Sequence, residues 1–320
     1  MAVNRNKVDL WKADVAKSVD FYNEWFMTFA PKAFRDTRIE TTKQVEEALT
    51  WTENLTNILP ETLISHPSAL SMLRMTTCPP IARDRLIGLA GVTPNLVKSM
   101  EKDARVPPQM KQPKLITELK MIGAIIEKMA DPDIFVWKDR GDKGTKEEVR
   151  RASTIVADRL CGAVADPIIR NAQEQRQLEA MKVWLEARGY RQLESGEAED
   201  LLSMPNGTFS FRFNVPVNQG DEDKQVNIPV DAVIMRKNAS KGDFPALFEA
   251  KSAGDFTNTN KRRKEEAIKI HQLRHTYGDK ITFDLFLCGY FDSGYLGYEA
   301  AEGIDWVWEH RIDDLSQFGL

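Results

Sequence analysis

The sequence predicts a mixed α/β (α+β) protein, with a helical N-terminal region followed by a mixed β-sheet core flanked by helices. Two observations carry this prediction. Through Gly189, apolar side chains recur at three- and four-residue spacing, the period of a helix that buries one face. Beyond Tyr190, short alternating or β-rich apolar segments take over, divided by turn residues.

In chain order, the helical period runs over 8–29 and again over 41–58, after which Pro60, Pro67 and the Pro79-Pro80 pair punctuate the chain. A Pro-, Gln- and Lys-rich loop over 106–114 precedes a helix over 115–129. The charged stretch 138–146, KDRGDKGTK, has the composition of an exposed linker or loop. Helix returns over 147–188 with an expected interruption at Asp166-Pro167, because proline lacks the N–H that the helical ladder needs. Its last part places Leu178, Met181, Trp184 and Leu185 on one side.

Strands are expected over 208–215 (TFSFRFNV), 226–235 (VNIPVDAVIM) and 245–250 (PALFEA), then a helix over 260–277 and a strand over 281–290. The tail 298–315, with Trp306 and Trp308, fits either a strand or a helix end. The sequence suggests two domains: a helical region, 1–145, and an α/β domain, 146–320.

Composition bounds the function. The chain has 320 residues, of which 42% are hydrophobic and 29% charged, enough for a substantial core. Its net charge is −4, so contact with nucleic acid would depend on local basic patches and not on a global field. The three cysteines, Cys78, Cys161 and Cys288, are far apart and odd in number, which favours buried thiols in a reducing compartment. Four histidines without a Cys partner nearby make a zinc site a poor fit, and His271 and His275 are expected on a helix surface. No apolar run has the length of a membrane span and no signal-peptide core opens the chain, so a cytoplasmic, membrane-free location is expected. Phosphate-binding GxxxxGK[ST], dinucleotide GxGxxG and GxSxG nucleophile motifs do not occur.

The chemistry is concentrated in Pro229-Val230-Asp231 and Glu249-Ala250-Lys251. Two-residue periodicity puts Glu249 and Lys251 on one face of their strand. The polar connection 236–243 would let that strand pair with the one bearing Asp231. Two carboxylates and an ammonium would then converge. Asp231 and Glu249 interrupt apolar runs, where an unpaired carboxylate is costly to bury.

A hard divalent cation such as Mg2+ takes such oxygen ligands, neutralises developing phosphate charge and lowers the pKa of a bound water. A neighbouring lysine can orient that water, or deprotonate it if its own pKa is depressed. Glu174 and Glu179, on the helix before the first strand, are each candidates to join the metal shell through water.

Next comes KSAGDFTNTNKRRK, where Gly254 permits close backbone approach and Thr257 to Asn260 offer hydrogen bonds and a cap. Four cations, Lys261, Arg262, Arg263 and Lys264, then open a helix against its macrodipole, which suggests an anionic partner. Asn258 and Asn260 join them as candidate DNA contacts. A second candidate element is a helix-turn-helix over 82–103. Leu86, Ala90, Val92, Val97 and Met100 form its core, Gly91 its turn, and Thr93, Asn95, Lys98 and Ser99 face outward.

PVD…FEAK followed by SAGDFTNTNKRRKEEAIKIHQL resembles the PD-(D/E)xK nuclease superfamily, and within it the XamI group of type II restriction endonucleases. The resemblance extends from the helix containing Gln173 to Gln177 through GYEAAEGIDWVWEHRIDDL. It implies a restriction-endonuclease-like core, with Asp231 and Glu249 as Mg2+ ligands and Lys251 assisting the attacking water. The Pro-Val-Asp spacing departs from adjacent Pro-Asp but leaves the Asp in place. The resemblance further implies cleavage of double-stranded DNA at a short palindrome, GTCGAC. A homodimer would suit such a site, and a DNA methyltransferase of the same specificity would be the functional partner. A structure-specific or repair nuclease of the same fold and a non-catalytic helix-turn-helix DNA-binding protein are the two alternatives.

Overall fold

The computed structural model describes residues 2–194, 196–218, 225–257 and 259–320, without the side chains of 259–263. Helix α1, Val8–Trp51, runs unbroken where the sequence pattern suggested two segments. Pro31 lies inside it and costs one ladder hydrogen bond, which buried residues on both sides, from Tyr22 to Val45, outweigh. The helix ends at Trp51, ahead of three successive positive-φ residues, Glu53, Asn54 and Leu55.

The chain forms two compact units, one of residues 2–29 with 170–320 and the other of 30–169. The sequence had suggested a single boundary between 145 and 146.

The 30–169 unit is helical. After α1 come α2 (Pro60–Ser65), α3 (Ala69–Met75), α4 (Arg83–Ala90), α5 (Pro94–Asp103), α6 (Gln112–Met129) and the short α7 (Trp137–Arg140). Leu63, Leu73, Leu86, Leu96, Leu119, Ile122, Phe135 and Trp137 are fully buried in its core. Helices α4 and α5 form a helix–turn–helix. Gly91 makes the turn at φ 62°, a left-handed conformation that glycine adopts without steric penalty. Leu86, Ala90, Val92, Val97 and Met100 are all buried there, as the spacing predicts.

Helix α8, Lys146–Ala187, passes through Pro167 without a break. The expected interruption at Asp166-Pro167 is therefore corrected. Ala165 and Leu178 are buried on either side of it, so burial holds the helical path despite the missing N–H.

The other unit is built on a six-stranded mixed sheet in the order β1 (Arg191–Gln192), β2 (Thr208–Asn218), β3 (Gln225–Met235), β4 (Ala246–Ala253), β5 (Phe283–Gly289), β6 (Trp306–Trp308). Strands β2, β3 and β4 form an antiparallel meander, whereas β4, β5 and β6 are parallel. The parallel crossovers carry α9 (Thr259–Tyr277) and α10 (Ser293–Ala301). Helix α10 had no counterpart in the sequence reading; Asp292 caps it by accepting the Tyr295 N–H at 2.7 Å.

One sheet face packs Val233, Leu247, Leu285 and Trp306 with Ile270 and Leu273 of α9. The other packs Ile234, Phe248 and Phe286 with Met181, Trp184 and Leu185 of α8. The open tail resolves into β6 followed by a 3-10 helix, Glu309–Phe318. Cys161 and Cys288 are buried, but Cys78 is exposed. Among the described residues, no helix is long and apolar enough to cross a membrane.

Candidate active site

Strands β3 and β4 pair up to Ala232↔Phe248, and the same register continued past that last pair sets Asp231 against Glu249. The Ala250 N–H donates to Asp231 Oδ2 at 2.9 Å, which ties the first carboxylate to the second strand. Lys251 Nζ donates to Glu249 Oε1 at 3.1 Å from the same face of β4. The three residues singled out by spacing thus come together where the β3–β4 pairing stops.

The backbone around Asp231 is not a plain ladder. Opposite it on β2, between the pairs Phe211↔Ala232 and Phe213↔Val230, Arg212 takes a left-handed φ of 53°. Such a conformation costs a non-glycine residue about 1 kcal/mol and persists only where its surroundings hold it. Arg212 is held by Glu174, whose Oε1 accepts from Nε at 3.1 Å and from Nη2 at 2.8 Å. The kink leaves Val230 and Val233 in the same core cluster while Ala232 packs on the opposite face. Asp231 occupies the step between them.

Helix α9 adds two residues that the sequence reading did not single out. Glu266 is 1% exposed, its Oε1 lies 3.3 Å from Lys251 Nζ, and neither of its carboxylate oxygens accepts a hydrogen bond. Lys269 Nζ lies 2.6 Å from Glu249 Oε1 and also donates to the Pro229 carbonyl at 3.2 Å. The signal was available: Glu266 and Lys269 are three apart, on the helix face that also carries buried Ile270. It was masked because Glu266 follows four cations and looks like their surface counter-charge.

Helix α8 supports the site from the other side. The buried Gln177 donates from Nε2 to the Phe286 carbonyl at 3.0 Å and accepts from Ser252 Oγ at 2.9 Å. Gly254, just past β4, runs against Tyr22, where a Cβ would come within 2.9 Å of the phenol oxygen.

The electrostatics follow from this crowding. Burial, reinforced by the Glu249 charge, pushes the Asp231 carboxyl up to about 6. Burial pushes Glu266 up as well, only partly opposed by Lys251. For Lys251 burial favours proton loss, but Glu249 and Glu266 together outweigh it and hold the ammonium above the ordinary lysine range. The depressed lysine pKa required of a general base is therefore not what this environment produces. Lys251 is an ammonium here.

The remaining candidates separate. Glu174 shares the α8 face of Gln177 and its charge contributes to the upward shift of Asp231. Glu179 is exposed and lines a cavity of about 660 Å3 with Trp25, Arg176, Lys182 and Arg212. Lys264 is exposed on α9, whereas Asn258 and the side chains of Asn260, Lys261, Arg262 and Arg263 lie outside the described residues. In the helix–turn–helix, Asn95 and Lys98 are exposed. Thr93 is engaged internally: its N–H and hydroxyl donate to Glu118 at 2.9 and 2.7 Å. His271 and His275 are both exposed on α9.

The donor set suits a hard cation. Glu249 Oε2 is buried without a hydrogen-bond partner, like both oxygens of Glu266. Among the described residues, no group of three or more His, Cys, Asp or Glu side chains forms a closed metal cage. Magnesium does not need one, since it takes one or two carboxylates and completes its shell with water and substrate phosphate.

A mixed sheet that presents paired carboxylates and an ammonium on neighbouring strands has the groups that a metal-dependent phosphodiester-cleaving nuclease uses. Comparison with known proteins gives the particular family. Residues 53–308 match the XamI restriction endonuclease family. Type II restriction enzyme SalI from Streptomyces albus G is 54% identical over 317 residues, covering 99% of each chain. No solved structure matches. The chain belongs to the XamI restriction endonuclease family and is a site-specific deoxyribonuclease.

Proposed function

We propose that the chain is a type II restriction endonuclease that hydrolyses both strands of DNA at GTCGAC with magnesium. Asp231 and Glu249 hold the cation and Lys251 assists the attacking water. The observation that carries this reading is the pairing of β3 with β4, which sets Asp231 opposite Glu249 beside Lys251 and leaves a buried Glu249 oxygen without a partner. The palindrome comes from the resemblance to the XamI group.

When bound, the cation supplies charge for the scissile phosphate and acidifies a water. Asp231 and Glu249 orient it from two strands. As an ammonium, Lys251 is suited to orient the attacking water and to stabilise phosphate charge. Glu266 holds Lys251 in that position. Glu174 reaches the shell through water, and Glu179 has no part in it. Asn258, Asn260 and the cations 261–264 meet backbone phosphate, with Asn95 and Lys98 as a second contact surface.

A palindrome presents the same phosphate twice, which a two-fold homodimer matches with one site per strand. The reading also implies a methyltransferase of the same specificity to protect host DNA, and a cytoplasmic location. Purified protein is incubated with plasmid and magnesium, and the fragment ends are sequenced. Every end should fall within GTCGAC. Ends scattered through the plasmid, or cutting confined to branched DNA, would overturn the assignment.

A further inference from the structure

Beside Lys251, a second ammonium reaches Glu249 in the candidate site, that of Lys269. Its ammonium lies 2.6 Å from Glu249 Oε1 and 3.2 Å from the Pro229 carbonyl, so it bridges β4 to β3 two residues before Asp231. Its side chain is 20% exposed and that of Glu249 only 6%, so water screens this contact weakly. Both oxygen partners of Lys269 belong to the neighbouring strands β3 and β4 that frame the site. The same Glu249 oxygen also accepts from Lys251, leaving only Oε2 free.

We infer that Lys269 is a further residue of the cleavage reaction, an internal counter-ion that sets how tightly the site takes its divalent cation. This inference rests on the proposed assignment of Asp231 and Glu249 as metal ligands. A cation loading onto Glu249 meets an ammonium already bound to one carboxylate oxygen. Either Lys269 withdraws, or the cation binds against a positive charge a few ångström away. Both weaken loading onto the DNA-free protein.

The flexible four-carbon stem of a lysine can swing the ammonium outward without moving the helix. Lys269 is on α9, the helix in whose sequence the four cations 261–264 precede it. An incoming DNA phosphate therefore offers the displaced ammonium a new partner. Metal loading is thereby coupled to DNA: each favours the other, because both are served by the same movement of Lys269.

The test uses manganese(II) and the full-length protein without DNA, with free manganese followed by electron paramagnetic resonance. Lys269→Met removes the charge and keeps the chain length. It should tighten manganese binding roughly tenfold, since one neighbouring unit charge at partly buried range is worth at least that factor. Lys269→Arg should bind like the parent. Because Lys269→Met leaves Glu249 with Lys251 as its one cationic partner among the described residues, thermal unfolding provides a second readout. Manganese should raise the melting temperature of Lys269→Met by more than that of the parent.

Asp231→Asn separates the two levels. If it abolishes manganese binding while Lys269→Met binds no tighter than the parent and gains no extra thermal stabilisation, the counter-ion role fails and the metal site stands. If Asp231→Asn leaves manganese binding unchanged, the metal-site assignment fails and the counter-ion role fails with it.

Discussion

Asp231 shows how a single side chain reports on its surroundings. Burial and Glu249 raise its carboxyl to about 6, above the usual 3.8. An acid whose folded-state pKa is raised contributes stability that is fully present below the unfolded value and is lost as pH rises through the folded one. Between pH 4 and pH 6 the protein therefore loses stability on ionising Asp231. Asp231→Asn keeps an acceptor for the Ala250 N–H but cannot ionise. In metal-free buffer at pH 8 it should be more stable than the parent by about 1–2 kcal/mol, a difference that shrinks towards pH 4. Denaturant midpoints across that range check this, and a pH-independent difference would contradict it. Asp231, Glu249 and Lys251 were legible in the sequence because charged residues stood inside apolar strands at strand spacing. Glu266 and Lys269 were not, since a helix of alternating charge shows its buried face only when the sheet beneath it is known.

At the scale of elements, α9 does more than cross over between β4 and β5. It seals one sheet face with Ile270 and Leu273, and on the same side delivers Glu266 to Lys251 and Lys269 to Glu249. Glu266→Gln keeps the shape but removes the charge that holds the Lys251 ammonium. The expected result is a fall in kcat of roughly 10–100-fold with KM for DNA little changed, the signature of an interaction lost only in the transition state. Glu266→Asp, which restores the charge on a shorter arm, should recover part of kcat. A rise in KM with kcat intact would place Glu266 in substrate binding instead. The four longer strands, β2 to β5, followed from alternation and turn residues, whereas the two-residue β1 carried no pattern and β6 stayed open between strand and helix end. Helix continuity did not: Pro31 and Pro167 carry breaking signals that burial on either side overrides, so α1 and α8 each outrun their sequence patterns. The left-handed Arg212 was equally invisible, because nothing in TFSFRFNV marks a kink that Glu174, 38 residues upstream, helps to hold.

For the molecule as a whole, the sheet-bearing unit takes residues from both ends of the chain. Asp305 accepts from the Asn4 N–H at 2.9 Å and the Arg5 N–H at 3.0 Å, fastening the N-terminal segment beside β6. A division by sequence position placed that segment with the helical region, since long-range hydrogen bonds of this kind leave no local pattern. The mildly acidic net charge is compatible with DNA cleavage because Lys251 and Lys269 sit at the site itself, and four consecutive cations, 261–264, follow β4 in the sequence. What unites these scales is one claim, that β3 and β4 bring Asp231, Glu249 and Lys251 together to hydrolyse DNA. The decisive measurement pairs binding with single-turnover cleavage of a GTCGAC duplex by Asp231→Ala and Lys251→Ala. Both variants should bind the duplex in calcium as the parent does and should fail to cut it in magnesium. Cleavage at the parental rate by either one would contradict the claim.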